Sequence, residues 1–190
     1  MMIFLMLAPY AAFTLLMLVS SPVPSLFAAA AICLMVIGYD VLCGRSIKLL
    51  GASSAILFAA LGGYLVLVEP GLGLSAVKLT VDGGMLAIAL LSLAIRFPFT
   101  LQYAREVVDV ETAARPGFLT ANYIITAVWS AAFLLMLMAN ALMICLPGLP
   151  LWSGLAIAFA ARSTALYFTN WYPRYRRAKF AASGGVLSGT

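Results

Sequence analysis

The sequence predicts an all-α fold: a polytopic bundle of six transmembrane helices, N-in/C-in, with a cytoplasmic interfacial amphipathic helix between helices four and five. Three observations predict it. First, 65% of the 190 residues are hydrophobic and 9% are charged, whereas a water-soluble domain is about 25% charged. So few charges cannot cover a fold in water, and lipid is the solvent that favours such a surface. Second, apolar stretches of nearly membrane-spanning length recur between Pro, Gly and charged clusters. Third, the lysines and arginines gather on alternate connections.

The first span runs from Ile3 to Ser20, where Pro22 and Pro24 stop it. The second runs from Leu26 to Cys43 and turns at Gly44-Arg45-Ser46. The third, Ile47 to Val68, stops at Glu69-Pro70-Gly71. A looser connection follows from Leu72 to Asp82. The fourth span, Gly84 to Phe97, is short and is extended back to Thr80 if it is to reach across. The fifth is Phe118 to Cys145, and Pro147-Gly148-Leu149-Pro150 forms a tight turn. The sixth is Leu151 to Trp171, broken by Pro173. Residues 1–180 then make one transmembrane domain, and 181–190 are expected to be a disordered tail.

With six spans, Arg45, Lys48, Arg96, Arg105, Arg115, Arg174, Arg176, Arg177 and Lys179 share one side, against Lys78 on the other. Loops rich in Lys and Arg stay in the cytoplasm, which sets both termini there. The net charge of +5 is therefore topological, and no nucleic-acid partner is expected. The chain opens Met1-Met2-Ile3-Phe4-Leu5 without a basic flank, so the first segment reads as a retained helix rather than a cleaved signal.

Much chemistry is excluded. There is no histidine, which removes the usual haem ligand, zinc ligand and catalytic base. Cys33, Cys43 and Cys145 form no C-x-x-C motif and read as apolar helix residues. No catalytic residue, cofactor or metal site is expected. Glu106, Asp109 and Glu111 diverge around a helix and are flanked by cations. Ser46 and Lys48 sit at a membrane-surface turn and read as a topological stop.

Four features remain. The stretch after Pro98 reads as a surface helix, with Leu101, Ala104, Val107, Val108 and Val110 on an apolar side. Gln102, Arg105, Glu106, Asp109 and Thr112 make its polar side, with helical ion pairs Arg105–Asp109 and Glu111–Arg115. Arg162 lies in the middle of the sixth span, where a charge costs about 2.5–3.5 kcal/mol on insertion scales. Asp40, near the cytoplasmic end of the second span, is the nearest acid to pair with it. Gly51, Ala55, Ala59 and Gly63 make a small-residue packing stripe. Trp171, Tyr172, Arg174, Arg176 and Arg177 are interfacial anchors, suited to anionic lipid head groups, with Tyr167 and Tyr175 beside them and Trp152 at the opposite interface.

The phrases G-R-S-I-K-L-L (44–50), R-F-P-F-T-L-Q-Y-A-R-E (96–106), N-Y-I-I-T-A-V-W (122–129) and F-T-N-W-Y-P (168–173) resemble an uncharacterised family of small polytopic bacterial inner-membrane proteins. The resemblance brings no activity. It implies that the distinctive residues sit in the cytoplasmic connections, which adds Arg96, Gln102, Tyr103, Arg105, Glu106 and Asn122 to Arg162 and Asp40 as candidate functional residues. That pattern often carries an acid after G-R-S-x-K, where this chain has Gly51.

The function expected is a small-molecule or ion transporter or channel component. The alternatives are a non-catalytic scaffold or accessory subunit docking a membrane partner through residues 100–115, and, less favoured, a lipid-acting enzyme. Partners are the bilayer, anionic head groups, and a second copy or a membrane protein.

Overall fold

A computed structural model describes residues 2–146, 148 and 150–184, with side chains described for 8–115, 117–146, 148, 150 and 152–179. Its elements are α1 (Met2–Val19), α2 (Pro22–Leu42), α3 (Leu49–Leu67), α4 (Leu74–Ala94), α5 (Phe99–Arg105), α6 (Val110–Ala114), α7 (Pro116–Cys145) and α8 (Leu151–Gly184). No strand occurs among the described residues. Four helices, α2, α3, α4 and α7, are long and apolar enough to cross a membrane. The described apolar part of α1 is shorter, Ala8–Val19, and α8 gathers its charges toward its far end.

Several boundaries move from the sequence expectation. Helix α2 starts at Pro22, not Leu26. A proline in the first turn loses only an amide that has no helical partner there. Helix α4 starts at Leu74, so residues 74–82 are helical rather than a loose connection. Val77, Val81, Met85 and Ala89 recur at helical spacing, and all four are buried. Helix α8 passes through Pro173 instead of ending at Trp171. Ring stacks Phe168–Tyr172 and Trp171–Tyr175, both with centroids 5.0 Å apart, hold the turns on either side of the missing amide. Residues 181–184 continue this helix, and the rest of the expected tail, 185–190, lies outside the described residues.

Contacts fix how neighbours run. Between α2 and α3, Phe27 lies at Gly62 and Ile37 at Gly51, so the pair is antiparallel. Between α7 and α8, Met143 meets Gly154, Trp129 donates to Thr169, and Arg176 donates to Gly117 O, again antiparallel. The alternation puts the α2–α3 and α4–α7 connections and the basic end of α8 at one end of the bundle, here termed the basic face. The α1–α2, α3–α4 and α7–α8 connections lie at the opposite face.

Packing divides the bundle into two sets of three. Helix α2 packs on α1 and α3, and α7 packs on α4 and α8, while α3 against α4 is a thin seam. The stripe 51/55/59/63 does not act as one surface. Ala55 is buried, Ala59 is exposed, and a Cβ at Gly63 would meet nothing. Steps of four drift by about 40° each around a helix of 3.6 residues per turn. Close approaches in α3 and α4 fall instead at Gly62 under Phe27 and at Gly84 under Leu57.

A Cβ on Gly84 would fall 2.6 Å from both Leu57 methyl carbons across the seam. Gly84→Val should therefore lower stability by about 1–3 kcal/mol through overpacking. Thermal unfolding in detergent measures this, and a midpoint equal to that of the parent contradicts the close approach.

Candidate functional site

The extension of α4 back to Leu74 carries Asp82 inside the bundle. Asp82 stands eight residues into α4, about 12 Å along its axis. Tyr10 is nine residues before the end of α1, Asn140 five before the end of α7, and Arg162 eleven after the start of α8. At 1.5 Å per residue all four fall about 8–16 Å from the opposite face. They meet there. The Tyr10 hydroxyl donates to Asp82 Oδ1, and Asn140 Nδ2 donates to Asp82 Oδ2. Asp82 is 2% exposed, so both oxygens of a deeply buried carboxylate are satisfied by protein donors. That is the condition under which such a group is tolerated.

Arg162 belongs to this cluster and not to Asp40. Its guanidinium carbon sits 4.0 Å from the centre of the Tyr10 ring, a cation–π contact. Asp82 acts on it through space, but no ion pair or hydrogen bond to Arg162 occurs among the described residues. The sequence expectation of an Arg162–Asp40 pair fails because Asp40 lies at the other end of the bundle and is already paired. A cavity of about 50 Å³ borders the cluster. Its walls include Lys78, Asp82 and Arg162 inside, and Ser75, Met143 and Gly154 near the helix ends at the opposite face.

A second polar assembly closes the basic face. Lys48, 5% exposed, donates to Asp40 Oδ2 at 2.6 Å and lies 3.1 Å from Glu106 Oε1. Arg45 Nη1 stands 3.5 Å from Asp40 Oδ1. Lys48 also lies 5.5 Å from the centre of the Tyr103 ring. Burial, then the acids Asp40 and Glu106, push the Tyr103 hydroxyl above its usual range. Gln102 Oε1 accepts the Leu49 amide at 2.6 Å, an otherwise unpaired donor in the first turn of α3. Asp40 and Lys48 belong to the first three-helix set, while Gln102 and Glu106 follow α4. Lys48 and Gln102 therefore latch the halves together.

The single surface helix after Pro98 is instead two short helices, α5 and α6, separated at residues 106–109. Phe99, Thr100 and Leu101 are buried, and Gln102 and Glu106 turn inward rather than lining a polar outer side. The expected Arg105–Asp109 pair does not form. Asp109 caps α6, accepting from the Thr112 amide at 2.6 Å, and that bond holds its carboxyl below the usual range. Glu111–Arg115 does form, at 2.9 Å, but is exposed and contributes little.

Asn122 is buried, donates to Phe118 O, and accepts the Thr100 hydroxyl on its backbone oxygen at 3.0 Å. It ties α5 to α7 and joins neither cluster. Arg96 and Arg105 are exposed, and Arg96 has a positive φ of 59° at the end of α4. Of the anchor group, Trp171, Arg174 and Arg177 are exposed, whereas Tyr172 stacks on Phe168 and Arg176 holds Gly117.

Asp82, Tyr10, Asn140 and the central role of Lys48 are not visible to the motif reading. Asp82-Gly83-Gly84 reads as a turn, yet the shortness of the fourth span and the spacing of Val77, Val81 and Met85 point to a longer helix. These two assemblies differ in a testable way. Lys48→Met strands Glu106 and leaves Asp40 with Arg45 alone, and should cost about 3–5 kcal/mol. Arg162→Met removes a cation that holds no acceptor among the described residues and should leave the unfolding midpoint close to that of the parent. Equal losses in the two variants would refute the distinction.

Compared with known proteins, the chain matches no family model, no curated protein and no solved structure.

Proposed function

We propose that the chain crosses a bacterial inner membrane six times, with the basic face in the cytoplasm, and moves a small solute or ion along the seam between its two halves. The observation that carries this reading is Arg162: a guanidinium within the apolar layer, on a cavity wall, without an acceptor among the described residues. A charge at that depth is costly and usually marks a substrate or ion path.

Two further features support it. Three antiparallel helices followed by three more have opposite orientations, the arrangement used by transporters that rock one half against the other. The seam is thin and carries a polar tie at each end, Tyr10–Asp82 toward the opposite face and the Lys48 latch at the basic face. The cavity reaches toward the opposite face and stops short of the latch, the arrangement of one open and one closed gate. The scaffold reading loses support, since Gln102 and Glu106 face inward onto α3.

Flux through reconstituted vesicles tests the path. Arg162→Leu should abolish uptake while insertion and folding persist, and unchanged uptake overturns the reading. The latch has a native reporter. Cys33 is buried in α2, seven residues before Asp40. With Cys43→Ser and Cys145→Ser, Glu106→Gln should raise the rate at which a water-soluble maleimide labels Cys33 by about tenfold, from the basic side alone. A labelling rate that stays at the parent value would show that Lys48–Glu106 closes nothing.

A further inference from the structure

The same cavity has a preference that its lining decides. We infer that it binds a small planar monovalent oxyanion, of the carboxylate or nitrate class, between Arg162 and Lys78. This deepens the solute-handling reading by naming the solute.

The charge balance comes first. The charged side chains on the wall are Asp82, Lys78 and Arg162. Asp82 is spoken for, one oxygen by Tyr10 and the other by Asn140. Neither Lys78 nor Arg162 has a hydrogen bond or ion pair among the described residues. The wall therefore carries two cations against one carboxylate, a net positive charge, and neither cation has a hydrogen-bond acceptor among the described residues. A cation entering the cavity would meet net repulsion and no free acid. An anion would meet donors that lack an acceptor.

Shape comes second. Tyr10 engages Arg162 through its ring, with the guanidinium carbon 4.0 Å from the centroid. A guanidinium held by an aromatic ring keeps in-plane N–H groups for another partner, and their fork matches two oxygens of a planar anion. Lys78 supplies a compact charge suited to the same ligand. Size comes third. A water requires roughly 10–15 Å³ of such space, so a cavity of about 50 Å³ accommodates a ligand of three or four heavy atoms. Organic ligands of drug size need about 300 Å³ or more.

Equilibrium binding of radiolabelled formate to the purified full-length chain, at constant ionic strength maintained with chloride, tests the site without requiring transport. Formate should bind saturably and nitrate should displace it, while chloride and sulfate displace it at least tenfold less well. Arg162→Lys, which keeps the charge but loses the fork, should weaken binding about tenfold or more. Lys78→Gln should weaken it several-fold. Asp82→Asn should tighten it, an effect that a purely structural role of the cluster does not produce. If that variant does not fold, the ratio between Arg162→Lys and Lys78→Gln carries the test. Absence of saturable formate binding, equal displacement by chloride, or parent-like affinity in Arg162→Lys overturns the inference. A chain that binds formate but does not move it would defeat the transport reading and leave this site standing.

Discussion

A carboxylate inside an apolar layer must find donors from its own protein, and Asp82 is the group on which that requirement falls. Lipid offers it nothing, and an unpaired polar group there costs several kcal/mol. Its donors come from α1 and α7, two helices that belong to different halves of the bundle. Satisfying one acid thus joins the halves toward the opposite face. At the basic face Lys48 plays the reciprocal part, a buried cation shared between an acid of its own half and an acid from the other. Between the two ties the seam is thin, and packing there rests on close approaches such as Leu57 over Gly84.

The two assemblies are not equivalent. Around Lys48 two cations, Lys48 and Arg45, stand against two acids, Asp40 and Glu106, so the group is a clasp between the halves. Around Asp82 the acid is satisfied first, and among the described residues Arg162 and Lys78 are left with donors that have no acceptor. A structural demand, the solvation of one carboxylate, thereby creates a chemical surplus next to it. Stability and binding are separable here because they rest on different members of the same cluster.

The connection between α4 and α7 shows how tertiary context redirects a local pattern. Residues 99–114 have the spacing of a surface helix, and their charges suggest a solvated side. Asp109 instead caps the short α6 through Thr112, which breaks the helix just beyond Glu106. Glu106, at the break, and Gln102, within α5, turn inward onto Lys48 and the start of α3. Ser, Thr, Asp and Asn side chains compete in this way with the backbone for amide partners.

Composition and period determined the all-helical, membrane-type character of the chain, the approximate place of most long helices, and the crowding of cations at one end. These follow from local rules: apolar length, proline at helix ends, and the cost of placing charge in lipid. Sequence also singled out Arg162, since a lone charge in an apolar stretch is conspicuous by itself. The partners of that arginine were decided only by the tertiary structure. Which acid lies at its depth depends on where α4 begins and on how the long helices stack, and the turn-like Asp82-Gly83-Gly84 lies within a helix whose buried face is Val77, Val81, Met85 and Ala89. Asn140 and Tyr10 carry no motif. They matter because folding brings them, from far along the chain, to the two oxygens of one buried acid.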